Sequence, residues 1–278
     1  MAAQTDAPTL VILGTGYTGR VIYRLAAASR RTIRLSSRTP ERSLADVPAS
    51  VQLGFNLTDP TTWATIPDQA EVIVTFPVQP IEQVEAFAKQ VGPRIRRLVI
   101  LGSASAYDRA PEIMRGEWVT EQSPLDLSIP RVEGEEYLRR QLGAIVLRVT
   151  GIYGPGRNPL NWIRRGRVPY SSRIVNLVHV DDLASACLLA IDRGLPGEAY
   201  NVSDGTPRRW SDIMDVAAKR WQIPLPSPRS DVTPGKRVQT DKLRSRLGYV
   251  VQHPDLFDAL EAIEGRSETI PQSVDLSI

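Results

Sequence analysis

The chain has 278 residues, of which 42% are hydrophobic and 23% are charged, and its formal net charge is +3. A chain this apolar and this weakly charged does not remain disordered, and it is long enough for one large or two modest hydrophobic cores. The small positive charge is not concentrated in any run of five or more Lys or Arg residues. This distribution argues against a nucleic-acid partner.

The cysteine and histidine content limits the chemistry further. With Cys187 as the single cysteine no internal disulfide can form, and two histidines cannot supply a usual zinc set, so we expect a reducing compartment and no metal. Residues 1–8 lack the pattern of a signal peptide, and no run approaches the ~18 apolar residues of a membrane span. We expect a cytoplasmic protein without a membrane partner, whose oligomeric state, monomer or homodimer, stays open.

Strand and helix patterns alternate along the first part of the chain. Short apolar, β-rich runs predict strands at residues 9–13, 32–36, 51–55, 71–76 and 97–101. Helical spacing of apolar residues predicts a helix after residue 16 and another over residues 81–91. Such alternation implies an α/β fold with a doubly wound parallel sheet.

The remainder of the chain is less regular. After a polar stretch over residues 102–128 we predict, in order, a helix at about 129–141, a strand at 144–149, a short helix beginning at Trp162 and Ile163, a helix at 182–191, a strand at 197–202 and a helix at 209–221. The proline-rich residues 223–234 are predicted to form a loop. Cys187 lies on an apolar helical face, which is typical of a core residue.

A glycine loop joins the first predicted strand to the first predicted helix. Its glycines are Gly14, Gly16 and Gly19. Between a strand and a helix, this spacing allows a tight turn, a close approach of the backbone to a pyrophosphate, and free N–H groups facing the anion. We therefore predict a dinucleotide site with contacts from Gly14, Thr15, Gly16, Tyr17, Thr18 and Gly19, the alternative being a merely structural turn.

The end of the second predicted strand bears on the choice of cofactor. Residues 31–40 contain no Asp or Glu, and the strand ends in Ser36, Ser37 and Arg38. A guanidinium beside hydroxyl groups suits a 2′-phosphate, whereas a free ribose 2′-hydroxyl calls for an acid. We expect NADP(H) rather than NAD(H), with NAD still possible, unless Arg38 only caps a surface loop.

Four further segments form a recognisable series along the chain. They are residues 55–59 (Phe-Asn-Leu-Thr-Asp), 102–107 (Gly-Ser-Ala-Ser-Ala-Tyr), 148–156 (Arg-Val-Thr-Gly-Ile-Tyr-Gly-Pro-Gly) and 178–183 (Val-His-Val-Asp-Asp-Leu). With the glycine loop, they resemble the motifs of extended or atypical short-chain dehydrogenases/reductases of the NAD(P)-dependent epimerase/dehydratase family. The resemblance implies a Rossmann core over residues 1–150. It also implies a mostly substrate-binding, smaller C-terminal subdomain over residues 151–278, with some segments returning to the core.

The chain departs from this family at its catalytic helix. Redox members of the family carry Tyr-x-x-x-Lys, but none of the eight tyrosines here is followed four residues later by Lys. The alignment with the family places Arg131 at the Lys position and Leu127 at the Tyr position. Arg131 can hydrogen-bond a nicotinamide ribose but cannot exchange a proton near neutral pH, and Leu127 can do neither. Lysine is scarce throughout, since only four of the 34 basic residues are Lys.

The resemblance also implies the other site residues. Candidate catalytic residues are Ser103, Tyr107 and Arg131, with Tyr153 as a further possible proton donor. Cofactor contacts beyond those above are expected from Asn56, Leu57, Phe76, Pro77, Arg131, Thr150 and Gly151. Substrate contacts are expected from Ser103, Trp162, Asn176, His179 and Arg237.

Each of these candidates has a structural alternative. Ser103 can be an ordinary hydroxyl at a strand end, and Tyr107 and Tyr153 can be packing residues. His179 can be a hydrogen-bonded histidine beside two aspartates. The pair Lys236-Arg237 resembles a basic position that contacts an anionic part of the substrate in the family, but a solvated surface pair gives the same pattern.

Two classes of function follow. The first is an NADP(H)-binding reductase or epimerase-like oxidoreductase that acts on a small substrate, anionic or similar to a sugar nucleotide. The second is a non-catalytic NADP(H) sensor or regulatory binding protein, which would keep the glycine loop while losing the proton donor. A vacant, purely structural fold is a third reading, and it predicts no cofactor binding.

Overall fold

A computed structural model describes residues 8–29, 31–229 and 234–267. The expectations for residues 1–7, for residues 230–233 of the predicted loop, and for the last eleven residues of the C-terminal subdomain therefore lie outside the described residues. Within the described part of the chain, no helix is both long enough and apolar enough to cross a membrane.

The elements alternate as predicted. The strands are β1 (Leu10–Leu13), β2 (Ile33–Ser37), β3 (Gln52–Gly54), β4 (Ala70–Val74), β5 (Ile95–Ser103), β6 (Trp118–Val119), β7 (Ile145–Val149), β8 (Gly151–Tyr153), β9 (Ile174–Val175), β10 (Leu177–His179), β11 (Ala199–Val202), β12 (Arg208–Arg209) and β13 (Arg237–Val238). The helices are α1 (Tyr17–Ala26), α2 (Pro40–Ser43), α3 (Ile81–Val91), α4 (Pro111–Arg115), α5 (Pro130–Leu142), α6 (Pro159–Arg164), α7 (Val180–Arg193), α8 (Trp210–Trp221), α9 (Asp241–Leu247) and α10 (Leu256–Ser267).

Seven strands form one parallel sheet in the order β11-β7-β5-β4-β1-β2-β3. From β1 the chain first builds outward through β2 and β3, then crosses to β4 and builds the other half of the sheet. The order therefore reverses between β1 and β4, and ligands of doubly wound sheets bind beyond the carboxyl ends of the strands at such a point. The predicted fold class is confirmed.

Strand alternation separates two hydrophobic layers. In β1, Leu10 and Ile12 face a core shared with Ile22 of α1 and Leu183 of α7. On the other face, Val11 and Leu13 belong to a core that contains residues of α3 and α5. Because successive side chains of a strand point to opposite faces, a strand buried on both faces needs an unbroken apolar run. The sequence of β1 is Leu-Val-Ile-Leu, buried throughout.

A separate hydrophobic cluster lies in the second half of the chain. It includes Tyr153, Leu160, Trp210 and Ile213. Residues of α7 and β11 belong to the central layers instead, since β11 pairs with β7 in the main sheet. Cys187 of α7 is fully buried in that central core, as its apolar neighbours indicate.

The elements that the sequence patterns missed are mostly very short. The pairs β8–β10, β9–β12 and β6–β13 form two-stranded sheets outside the central one. Strands of two or three residues are too short to show a period-two pattern, so local sequence cannot reveal them. Residues of β8 and β9, together with the residues before β13, line a cavity of the protein.

Candidate functional site

The glycine loop has the conformation that its sequence predicts. Gly14 has φ +96°, and a Cβ there would lie 2.7 Å from Oγ1 of Thr75. A Cβ at Gly19 would lie 2.0 Å from the Gly14 carbonyl oxygen, so α1 can approach the strand this closely only with glycine. A Cβ at Gly16, by contrast, would meet nothing within 4 Å. The open face of the loop is therefore at Gly16.

The start of α1 offers backbone donors at this open face. Gly16 is the N-cap, and no side chain caps the helix. The first N–H groups of a helix have no partner within it and carry the positive end of the helix dipole. A cradle left open at Gly16 and lined by such donors fits the pyrophosphate of a dinucleotide.

The Tyr17 side chain contacts the segment that follows β8. The Arg157 guanidinium lies 5.4 Å from the centre of the Tyr17 ring. The Tyr17 hydroxyl is buried without a hydrogen-bond partner, and a Cβ at Gly154 would lie 2.5 Å from it. Burial raises the pKa of Tyr17 to about 12. Tyr17 can thus offer a cofactor its backbone N–H, while its ring packs against the segment after β8.

The three residues at the end of β2 have different roles. Ser36 is buried, and its hydroxyl accepts a hydrogen bond from Gly14 N–H at 3.1 Å. The Ser37 hydroxyl accepts a bond from Thr39 N–H at 3.1 Å. Arg38 is exposed. Of the three, Arg38 therefore has the side chain most available to a ligand.

The other expected cofactor residues lie near the ends of β3 and β4. Asn56 accepts through its side-chain oxygen from Thr58 N–H at 3.2 Å, and Leu57 is buried. The Phe76 ring lies next to Gly14, since a Cβ at Gly14 would be 3.0 Å from its Cδ1 atom. Pro77, which follows Phe76, is exposed.

A cavity of about 730 Å³ opens beyond β5 and β7. Its walls come from residues 103–105 and 108–111 after β5, residues 149–151 at the end of β7, and residues 173–176 and 234–236 from the second half of the chain. This volume is typical of sites for small molecules. The cavity thus lies at the same edge of the sheet as the glycine loop.

The predicted residues Ser103, Thr150 and Gly151 all line this cavity. The Ser103 hydroxyl accepts a hydrogen bond from Ser105 N–H at 3.2 Å. Its own proton remains free to be donated elsewhere. Thr150 donates its hydroxyl to the Val202 carbonyl at 3.0 Å, which holds the end of β7 against β11.

Arg131 reaches the cavity wall from the first turn of α5. Its guanidinium donates to the Ser105 hydroxyl, and Ser105 lines the cavity. Leu127 lies before α5, is 48% exposed and is not among the described lining residues. Leu127 therefore presents no polar group to the cavity.

Tyr107 lies in a buried network and not at the cavity. Its hydroxyl donates to the Asn201 side chain at 2.8 Å and accepts from Arg148 at 2.8 Å. Burial raises its pKa to about 12, although Arg148 opposes the shift. Tyr153 is also fully buried, and its hydroxyl has no partner. Neither tyrosine is among the described lining residues of the cavity.

Two glutamates of α5 extend this network under the site. Glu136 accepts from Arg148 at 2.8 Å and from Arg139 at 2.6 Å, and the pKa of Glu136 lies below its usual range because hydrogen bonds and nearby guanidinium groups outweigh burial. Glu135 is also buried and packs against Gly102, where a Cβ would lie 2.5 Å from Oε2 of Glu135. Burial raises the pKa of Glu135 to about 7.

The expected substrate residues divide into two groups. Ser103 and Asn176 line the cavity, but the Asn176 side-chain amide is hydrogen-bonded to the backbone of Lys236 and Val238. Trp162, His179 and Arg237 are not among the described lining residues. Trp162 packs against Trp210, with ring centres 6.4 Å apart, and Arg237 is exposed on β13.

His179 is placed by the start of α7. It is the N-cap of that helix, and its Nδ1 atom accepts from Asp181 N–H at 3.2 Å. The His253 ring stacks on it at 3.8 Å with an interplanar angle of 25°. His179, Asp181 and His253 each have one possible ligand atom, and these three atoms lie within 4.8 Å of one another, as in a metal site. Rings stacked this nearly parallel cannot both direct a nitrogen lone pair at one ion, so the geometry does not suit one.

Three charged lining residues, Asp108, Arg109 and Arg173, were not predicted from the sequence. Asp108 and Arg109 follow the residue 102–107 motif directly, whereas no motif marks Arg173. Lys236 also lines the cavity, and it belongs to the pair Lys236-Arg237 that the sequence indicated. Adjacency to a recognised motif could have identified Asp108 and Arg109, whereas Arg173 required the tertiary structure.

No protein-family model matches the chain. YeeZ of Escherichia coli K12 is 28% identical over 167 residues, which are 58% of this chain and 60% of YeeZ. The match therefore spans less than two thirds of that relative.

Solved structures match nearly the whole chain. The enzyme WbmG of Bordetella bronchiseptica, in complex with NAD, has a TM-score of 0.77 and 16% identity over 97% of this chain and 96% of WbmG. WbmG is also known in complex with NAD and UDP. A short-chain dehydrogenase/reductase superfamily protein of Agrobacterium tumefaciens with bound NAD has a TM-score of 0.76 and 14% identity over 94% of this chain and 97% of that protein. The predicted resemblance is thereby confirmed at the level of the fold.

Proposed function

We propose that this chain, which has the fold of NAD-binding short-chain dehydrogenases/reductases and epimerases/dehydratases, is an NADP(H)-dependent oxidoreductase or epimerase-like enzyme. The observation that carries the proposal is the position of two features on one sheet edge. The glycine loop is open at Gly16, and the cavity lined by Ser103 and Thr150 lies beyond neighbouring strands of the same sheet. A dinucleotide seated on the loop would direct its reactive end toward the cavity.

The preference for NADP(H) depends on the end of β2. Arg38 is exposed there, and residues 31–40 contain no acid. A guanidinium forms charge-assisted hydrogen bonds with a phosphate, whereas a carboxylate at this position would repel it. Several solved structures with this fold, among them that of WbmG, contain NAD, so the 2′-phosphate is a specific proposal for this chain.

The chain's own residues would position the reactants. A bound nicotinamide cofactor supplies or accepts a hydride. Arg131 contributes a fixed positive charge beside Ser105 at the cavity wall. The Ser103 hydroxyl would hydrogen-bond the reacting oxygen, and Thr150 and Gly151 line the same cavity. Positioning of this kind can supply a large part of a rate enhancement.

The charge of the cavity favours an anionic substrate. Arg109, Arg173 and Lys236 line it together with one acid, Asp108. Apolar lining from Ile113 and other residues suits the uncharged part of such a molecule. A small carboxylate, a sugar phosphate or a sugar nucleotide has this combination.

The test has two stages with the full-length chain. Binding of NADPH, NADP+, NADH and NAD+ is measured by titration calorimetry, and turnover is then followed at 340 nm with a panel of aldehydes, 2-oxo acids and sugar nucleotides. We expect tighter binding of NADPH than of NADH and turnover of at least one anionic substrate. Tight binding without any turnover would support the sensor instead, and absence of binding would support a vacant fold.

A further inference from the structure

The missing Tyr-x-x-x-Lys leaves open which group moves the proton. Among the described lining residues there is no tyrosine, histidine, glutamate or cysteine. The hydroxyl groups of Ser103, Ser105 and Thr150 are poor acids, and the guanidinium groups of Arg residues stay charged near neutral pH. Asp108 and Lys236 remain as the lining groups that exchange a proton with a substrate.

We propose that Lys236 is the general acid and base of this site, with Asp108 as its positioning partner, an inference that depends on the proposed enzymatic function. The Lys236 ammonium forms an ion pair with the Asp108 carboxylate. Lys236 is also the single lysine among the described lining residues. The lysine of this site thus comes from the C-terminal part of the chain, whereas the family carries its lysine on the helix that corresponds to α5.

The backbone before Lys236 is held tightly against β9. Ile174 N–H donates to the Pro234 carbonyl at 2.7 Å. Gly235 has φ +75°, and a Cβ there would lie 2.2 Å from the Ile174 carbonyl oxygen. Only glycine permits this close approach. The position from which the Lys236 side chain departs is therefore well defined.

Asn176 holds the other side of the same residue. Its side-chain Nδ2 donates to the Lys236 carbonyl at 2.8 Å, and its Oδ1 accepts from Val238 N–H at 3.0 Å. Asn176 is buried. Asn176 was expected to contact substrate, but both polar atoms of its amide are hydrogen-bonded to the backbone on either side of Arg237. Its function is to orient Lys236.

Asp108, which lies in the segment after β5, forms the ion pair with the Lys236 amine. Its N–H donates to the Ser105 carbonyl at 3.0 Å, which places it at the end of the turn that begins after Ser103. The Lys236 side chain is only 17% exposed, whereas the Asp108 side chain is 53% exposed. The ion pair thus connects an enclosed amine with solvent, from which the amine can recover a proton.

The proton balance is simple for carbonyl reduction. Hydride from NADPH forms the new C–H bond, the C=O π electrons move to oxygen, and an N–H bond of Lys236 breaks as the O–H bond forms. NADPH is oxidised, the carbonyl is reduced, and the neutral amine takes a proton from solvent. In the oxidation direction the neutral amine accepts the hydroxyl proton. The other charged lining groups, Arg109 and Arg173, keep their charge near neutral pH and do not donate a proton.

The main test compares Lys236→Arg, Lys236→Met and Asp108→Asn with wild type, and Lys219→Arg on the exposed surface of α8 is the matched control. For each protein, the thermal midpoint and the NADPH Kd establish folding and cofactor binding. Steady-state kinetics then use the panel carbonyl that wild type reduces fastest. Lys236→Arg should keep KM within a few fold but lower kcat by about 100-fold or more, because it retains the charge and cannot donate a proton.

The outcomes separate this inference from the proposed function. If wild type turns over and Lys236→Arg is equally active, Lys236 only anchors the substrate, and the inference fails while the enzyme remains. If wild type binds NADPH but reduces nothing, both proposals fail.

A second measurement requires no turnover. Pyridoxal 5′-phosphate, an anionic aldehyde, is trapped on amines with borohydride, and the modified lysines are located by mass spectrometry. Lys236 should be labelled faster than Lys89, Lys219 and Lys242, and Asp108→Asn should change the rate at Lys236 alone. Labelling of Lys236 no faster than that of the surface Lys219 would contradict the inference.

Discussion

The N–H of Gly14 donates a hydrogen bond of 3.1 Å to the buried hydroxyl of Ser36, so the glycine loop is tied to the end of the neighbouring strand. Ser36→Ala would leave this N–H without its partner. We expect a loss of about 1–3 kcal/mol in the free energy of unfolding, together with weaker NADPH binding. Urea unfolding and calorimetry measure the two effects. Ser172→Ala at an exposed position should change neither.

Gly16 is the position where a side chain would enter the open cradle without touching the protein. Gly16→Val should therefore fold but bind NADPH at least about 100-fold more weakly, a change of roughly 3 kcal/mol. Gly19→Ala, by contrast, should disturb the packing of the loop and not its open face. Its Cβ would lie 2.0 Å from the Gly14 carbonyl oxygen, so the thermal midpoint itself should fall. Unaltered NADPH affinity in Gly16→Val would contradict the dinucleotide site.

Arg38 should determine the choice between the two cofactors. Arg38→Glu replaces a phosphate-binding group with one that repels phosphate and can accept a bond from a ribose hydroxyl. We expect NADPH affinity to fall by about 10- to 100-fold, in line with the energy of charge-assisted hydrogen bonds, while NADH affinity stays or rises. Arg42→Glu, at another exposed position nearby, is the control. Equal losses in the two variants would show a general charge effect.

Arg148 forms an ion pair with Glu136 in which both side chains are almost completely buried. Arg148→Met would leave the carboxylate and the Tyr107 hydroxyl without this donor, at an expected cost of about 3–5 kcal/mol in unfolding free energy. Arg140 contacts the same carboxylate at 3.9 Å, but its side chain is 63% exposed. Arg140→Met should cost less than about 1 kcal/mol. Chemical denaturation at pH 7 measures both.

Glu135 should make stability depend on pH. Burial raises its pKa to about 7 from an ordinary value of 4.5, so the folded state keeps a proton that the unfolded state releases. The free energy of unfolding should therefore decline as pH rises from 4.5 to about 7 and stay lower above it. Glu135→Gln should remove this decline and be more stable at pH 8 by roughly 1–3 kcal/mol. Urea unfolding at pH 5 and pH 8 tests this, with Glu133→Gln, exposed on the same helix, as the control.

The conformation of the glycine loop could be predicted because its signals are local. Gly14, Gly16 and Gly19 follow an apolar strand at the start of an amphipathic helix. Gly14 has a positive φ, a Cβ at Gly19 would strike the Gly14 carbonyl oxygen, and Gly16 leaves the face of the loop open. Ser36, which was expected to contact a cofactor, is buried and accepts a hydrogen bond from the Gly14 N–H. Its type and position were visible in the sequence, whereas the direction of its hydroxyl was not.

The catalytic half was harder to predict. Tyr107 lies in the expected motif, yet its hydroxyl is drawn into a bond with Arg148 and away from the cavity. His179 lies in another expected motif and caps a helix. Motif position indicates the strand end at which a residue stands, but burial and hydrogen bonding decide which way its side chain points.

By itself, the sequence determined the alternation of strands and helices, the open glycine loop and the absence of Tyr-x-x-x-Lys. These are properties of neighbouring residues, because apolar periodicity and the special conformations of glycine act over a few positions. Only the tertiary structure decided which side chains share the cavity. Lys236 and Asp108 are 128 residues apart in the sequence, and they form an ion pair because Gly235 and Asn176 hold the Lys236 backbone in place. Gly235 lies against β9, which belongs to none of the motifs that resemble the family. Contacts at that separation depend on packing, which local sequence does not encode.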